Sequence, residues 1–169
     1  STQLVASDSE EFDEYVQDAL DLIEFANGPV NSKWGALRAK MGHPESFGLD
    51  MISVGNEQWE SQYVDLYKRH QIFEKAIHEK YPDMRILGTA GPFLDSPITE
   101  DAWKFYNNEF KANPNTCYAV DEHYYVSPQW MYDHVDHYDD YPRDIAVFAG
   151  EYAAHTTDRQ NNMESALAE

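Results

Sequence analysis

The chain has 169 residues, enough for a domain with its own core, and its 42% hydrophobic content excludes a disordered composition. With 31 acids against 12 bases the formal charge is −19; phosphate backbones and anionic membranes are repelled, so neither is an expected partner, whereas a neutral ligand is not disfavoured. A lone cysteine, Cys117, excludes an internal disulfide and a Cys-based zinc site.

The opening "STQLVASDSEEF" lacks the basic-then-apolar order of a signal peptide. It also lacks an initiator Met, and the last residues read as a helix under way, so a processed or excised segment is expected. "SDSEEFDEYVQDALDLIEFANG" predicts the clearest helix. Ser7 with Glu10 resembles a capping box, Phe12, Val16, Leu20 and Ile23 form an apolar stripe, and Gly28 is the stop. "NSKWGALRAKMG" predicts a short second helix capped by Asn31, and "HPESFG" a loop.

"MISVG" predicts a strand, delivering Asn56 and Glu57 where its apolar run stops. "SQYVDLYKRHQIFEKAIHEKYP" predicts a long helix with a stripe through Tyr63, Leu66, Tyr67, Phe73 and Ile77, closed by Pro82. "MRILGTAG" is the next strand, and "SPITEDAWKFYNNEFKAN" a helix starting near Ser96 or Thr99. "CYAVDEHYYV" is a third strand, "SPQWMYDHV" a short helix and "DIAVFAGEYAA" a fourth strand; a last helix starts at Asn161. Between them, "DHVDHYDDYPRD" reads as a solvated acidic loop. Strands alternating with helices predict a parallel sheet covered by helices. There is no internal repeat, low-complexity linker or apolar run of membrane-spanning length.

In such folds ligands sit beyond the carboxyl ends of the strands. There the sequence places Asn56 and Glu57, then Asp121, Glu122, His123, Tyr124 and Tyr125, then Glu151 and Tyr152. If the sheet curves into a barrel, Glu57 and Glu151 face one cleft. Two carboxyls in a cleft, one protonated to release a leaving oxygen and one ionised to attack or to activate water, are what glycosidic bond cleavage requires. Plainer readings exist for each residue. Glu57 could cap the following helix, Glu151 could serve an ion pair, Tyr125 could be a packed aromatic and His123 a hydrogen-bonded core residue. The aromatic content of 14% suits stacking on a sugar ring, as it also suits a core.

The segments "VGNEQW", "DEHYY" and "VFAGEYAAH", with "DLIEFANG" and "WGALRAKMGHPESFGL", resemble the catalytic domain of α-L-arabinofuranosidases of glycoside hydrolase family 51, in order and over nearly the whole chain. The resemblance implies a retaining double displacement that releases terminal non-reducing α-L-arabinofuranosyl residues from arabinose-containing oligo- or polysaccharides. It implies Glu57 as general acid/base and Glu151 as nucleophile. It further implies Asn56, His123 and Tyr125 as substrate-binding residues, with Tyr125 hydrogen-bonded to the nucleophile. Trp59 and Trp130 are possible sugar platforms. No cofactor and no metal are implied. Outside the resemblance, His134 and His137, with Asp133, Asp136, Asp139 and Asp140, could face a cation, but the run lacks a fixed scaffold.

The family's domain is a (β/α)8 barrel of about 250 residues or more, whereas four strands are legible here. The expected fold is therefore an α/β segment of that barrel, about four βα units resembling its fourth to seventh strands. The first strands, the last strand and any β-sandwich domain are absent from residues 1–169. Such a segment leaves open sheet edges and an apolar inner face, so its expected partner is the rest of a barrel or another copy, and alone it is expected to be poorly active. Alternative readings are a non-catalytic carbohydrate-binding or assembly segment, and a related barrel glycosidase acting on xylosides or β-glucans. Polysaccharide substrates point to a secreted or periplasmic setting ahead of a cytoplasmic one.

Overall fold

A computed structural model describes residues 5–57, 66–94, 96–156 and 162–168. The elements in chain order are α1 (Glu10–Asn27), α2 (Lys33–Lys40), β1 (Met51–Ser53), α3 (Leu66–Lys80), β2 (Arg85–Thr89), α4 (Pro97–Ala112), β3 (Ala119–Val126), α5 (Pro128–Asp133), β4 (Ala146–Ala154) and α6 (Asn162–Ala168). The strands follow the order β1-β2-β3-β4, and β2 pairs parallel with β3 and β3 with β4. Trp59 and Tyr63 lie outside the described residues. No described helix is long and apolar enough to cross a membrane. The chain divides into two compact units.

The first unit holds residues up to Val54 and those from Glu60 to Ile86. Helix α1 begins at Ser9, not at Ser7: the Ser9 hydroxyl accepts the Phe12 amide at 3.2 Å, and Glu10, Glu11 and Asp13 complement the helix dipole. The predicted stripe is the packed face, with Phe12, Val16 and Ile23 buried. Gly28 is the C-cap, where the backbone turns extended at ψ 152°, and only glycine fits there, since a Cβ would meet the Glu24 carbonyl oxygen at 2.5 Å. Helix α2 is capped by Ser32, whose Oγ accepts the Gly35 amide at 3.1 Å, one residue past the predicted Asn31.

Arg38 of α2 is 1% exposed. Its guanidinium donates to the carbonyls of Phe25 at 2.8 Å, His43 at 3.0 Å and Pro44 at 3.0 Å. One side chain thus satisfies three backbone acceptors and ties the end of α1 to the following loop. The Asn27 side chain pairs with both backbone groups of Leu49, accepting at 2.8 Å and donating at 2.5 Å, which fixes the approach to β1. The core of this unit is Ile23, Val54, Ile77, Met84 and Ile86.

The second unit holds Gly55–Trp59 and Leu87–Glu169. Helix α4 starts at Ser96 with Pro97 in its first turn; Thr99, the other predicted start, instead donates its hydroxyl to the Ala90 and Phe93 carbonyls. Ala102, Trp103 and Tyr106 are its buried face. Gly88 of β2 is a site of close approach, because a Cβ there would lie 2.2 Å from the Tyr106 ring. Cys117 is fully buried, donates to the Ala119 carbonyl at 2.8 Å, and burial pushes its thiol up to about 12, as expected for a packing residue. Strand β4 ends the sheet order and is exposed over much of both faces, Phe148 and Tyr152 included. An exposed edge strand of this kind is where a sheet takes a further strand.

Candidate active site

All the site residues described here belong to the second unit. Two backbone devices set them. The first follows β1. Gly55 has φ 100° and Glu57, a non-glycine residue, has φ 35°. A left-handed acid costs about 1–2 kcal/mol, and such strain concentrates where a side chain must be aimed. Glu57 is aimed at His123, whose Nδ1 lies 3.1 Å from its Oε1.

The second device is a β-bulge. Asp121 pairs with Phe148, yet His123 pairs with Glu151: two steps on β3 match three on β4. Side chains alternate faces along a strand, so the extra residue moves Glu151 from the face of Tyr124 to that of His123 and Tyr125. Alternation likewise places Asp121, His123 and Tyr125 on one face of β3. His123 Nδ1 lies 3.8 Å from Glu151 Oε2, and the Tyr125 hydroxyl donates to that same oxygen at 2.7 Å. One oxygen of Glu57, one nitrogen of His123 and one oxygen of Glu151 all lie within 4.8 Å of one another.

His123 is 3% exposed and lies among three carboxylates, with Nε2 3.2 Å from Asp121 Oδ2. Burial alone would favour the neutral ring. The hydrogen bond to Glu57 and the charges of Asp121 and Glu151 outweigh it and raise the His123 pKa above its usual value. Tyr125 is also shifted upward, first by its hydrogen bond to Glu151, then by burial and by the charges of Glu151 and Glu57. The Glu57, His123 and Glu151 ligand atoms are close enough to share a divalent cation, and both nitrogens of the His123 ring already face carboxylate oxygens.

Of the residues singled out in the sequence, Glu57, His123, Tyr125 and Glu151 converge. Asn56 precedes Glu57 and is exposed. Trp130 stacks on His134, ring centroids 4.1 Å apart at 9°, which occupies one of its faces. His137 packs against Trp130, Tyr138 and Tyr141. The acids of the "DHVDHYDDYPRD" run are exposed, as expected of a solvated loop, but two of its tyrosines turn inward. Tyr138 and Tyr141 donate to Glu122 at 3.1 and 3.0 Å, and Trp103 Nε1 does so at 2.6 Å. Glu122 is therefore a buried acceptor on the opposite face of β3. Asp121, one step before it, was not among the predicted site residues; its signal is the two-residue spacing to His123.

A family profile described as the alpha-L-arabinofuranosidase 1 domain matches residues 2–143. An extracellular exo-alpha-L-arabinofuranosidase of Streptomyces chartreusis is 42% identical over 90% of this chain and 18% of its own length. Alpha-L-arabinofuranosidase 2 of Arabidopsis thaliana is 34% identical over 92% of this chain and 21% of its own. An arabinose-bound family 51 α-L-arabinofuranosidase structure superposes with TM-score 0.68 at 29% identity, covering 93% of this chain and 22% of that one. The arabinose complex of the Thermotoga maritima enzyme, at TM-score 0.62 and 16% identity, shares the fold over 85% of this chain. The chain thus spans about a fifth of the length of the curated relatives it matches. It belongs to the family 51 α-L-arabinofuranosidases, as a four-strand segment of their (β/α)8 barrel.

Proposed function

We propose that the protein carrying this segment is a retaining glycoside hydrolase that removes terminal non-reducing α-L-arabinofuranosyl residues from arabinose-containing oligo- or polysaccharides. The observation that carries the proposal is the carboxylate pair: an oxygen of Glu57 and an oxygen of Glu151 lie within 4.8 Å. Retaining enzymes place their two carboxyls about 5 Å apart, whereas inverting ones leave about 6.5–9.5 Å for a water. In this reading Glu151 attacks the anomeric carbon while Glu57 gives its proton to the departing oxygen. Glu57 then takes a proton from water, which displaces Glu151 and frees arabinose. Tyr125 orients the Glu151 carboxylate through the 2.7 Å bond. In the same reading His123 holds Glu57, and Asn56 bonds a sugar hydroxyl. The names of the relatives support the substrate class, and the Streptomyces relative's description as extracellular supports a secreted setting.

Glu151→Gln and Glu57→Gln, each made in the full-length protein, test the proposal against an aryl α-L-arabinofuranoside. Turnover is expected to fall roughly 10³-fold or more for Glu151→Gln, with sugar binding kept. Unchanged turnover would leave the rival reading, a non-catalytic binding or assembly segment. The isolated 169 residues are expected to turn over poorly, because among the described residues β4 ends the sheet order with much of both faces exposed; normal turnover there would contradict that expectation.

A further inference from the structure

The two acids come from distant parts of the chain, and one buried side chain links to both. Asp121 is 8% exposed and sits behind His123 on the same face of β3. Its Oδ2 meets His123 Nε2 at 3.2 Å, and the other ring nitrogen meets Glu57. Its Oδ1 accepts the backbone N–H of Gly150 at 2.9 Å. Gly150 lies in the bulge, between Phe148, which pairs with Asp121, and Glu151, which pairs with His123. Bulged residues lose ladder partners, and here the Asp121 carboxylate supplies the acceptor. Gly150 also has to be a glycine for this contact, since a Cβ would lie 2.4 Å from Oδ1.

We propose that Asp121 is the positioning residue for both acids: one oxygen holds the bulge that turns Glu151 inward, and the other holds the His123 ring that aims Glu57. The proposal rests on the hydrolase reading above for the roles of the two acids, and on the geometry alone for the clamp. Asp121 touches no substrate in this account. It acts through Gly150 and His123, and its negative charge beside Nε2 favours proton binding by the ring whose Nδ1 faces Glu57. The upward shift of the His123 pKa fits that arrangement.

Asp121→Asn separates the two halves of the clamp. The asparagine oxygen can still accept from Gly150, but its amide N–H faces Nε2 of His123 and the charge is gone. In the full-length protein, kcat is expected to fall roughly 10²-fold, the scale of a misplacement of about 1 Å, with KM changed less than about threefold. Ring NMR is expected to show His123 titrating at lower pH than in the parent, with the Gly150 amide resonance in place. Asp121→Ala removes both contacts and is expected to lose more turnover than Asp121→Asn at equal folded fraction. Parent-level kcat together with an unmoved His123 titration in Asp121→Asn would overturn the proposal. The ring titration needs no substrate. If Glu151→Gln keeps full turnover, the hydrolase reading fails, while the titration still decides whether Asp121 controls His123.

Discussion

Gly150→Ala is the perturbation that probes the β4 bulge from the other side. The new methyl would start 2.4 Å from Oδ1, 2.9 Å from Oδ2 and 3.0 Å from Cγ of Asp121. Reaching ordinary contact requires the carboxylate to retreat by about 1 Å. A carboxylate held at 2.9 Å by one partner and 3.2 Å by another cannot make that move and keep both bonds. The expected cost in unfolding free energy is about 1–3 kcal/mol, the range for overpacking a filled site. Turnover is expected to fall roughly 10²-fold as Glu151 and His123 lose register. Urea unfolding and steady-state hydrolysis of an aryl arabinofuranoside measure the two effects. The double variant Gly150→Ala/Asp121→Ala removes the clash and should recover much of the stability without the activity, giving a coupling of about 0.5–3 kcal/mol in a double-mutant cycle. Stability within about 0.5 kcal/mol of the parent and full turnover in Gly150→Ala would refute the reasoning.

Arg38→Met orphans three carbonyls and should cost about 3 kcal/mol or more, read as a fall in melting temperature of roughly 6–12 °C. Tyr125→Phe removes the hydroxyl from Glu151 at a residue 46% exposed. Stability should stay within about 0.5 kcal/mol, while kcat falls about tenfold, less than the ~10²–10³ of a buried donor, because water can take the vacant position. The raised pKa of His123 makes its contribution to stability fully present below the usual 6.5 and lost as pH rises through the higher folded value. The unfolding free-energy difference between the parent and His123→Gln should therefore be largest in mild acid and shrink with rising pH; a difference that grows with pH would contradict the three-carboxylate setting of the ring.

Much of this was legible in the residues. The stripe of α1 was read correctly because burial follows a 3.6-residue period. The strand ends were legible because apolar runs stop abruptly at polar groups, and Glu57, His123, Tyr125 and Glu151 follow from them and from the family resemblance. The helix starts slipped by one or two residues. Ser7, Asp8 and Ser9 can all cap, as can Asn31 and Ser32, and packing rather than local sequence chooses among them. The bulge left only Gly150 as its trace, so the spacing of Asp121 from His123 was legible but its contact with Gly150 was not: a register shift is a relation between two strands. The inward turn of Tyr138 and Tyr141 was hidden for a similar reason, since its cause is Glu122, a buried acid on another element.

The central claim is that Glu151 forms a bond to the sugar while Glu57 manages the proton. A full-length Glu57→Gln variant mixed with an arabinofuranoside bearing an activated, acidic phenol needs no proton for the first step and lacks the base for the second. Mass spectrometry of the quenched, digested protein is predicted to find one anhydropentose on the peptide containing Glu151. A label on another peptide, or release of the phenol with no label during a pre-steady-state burst, would contradict the account.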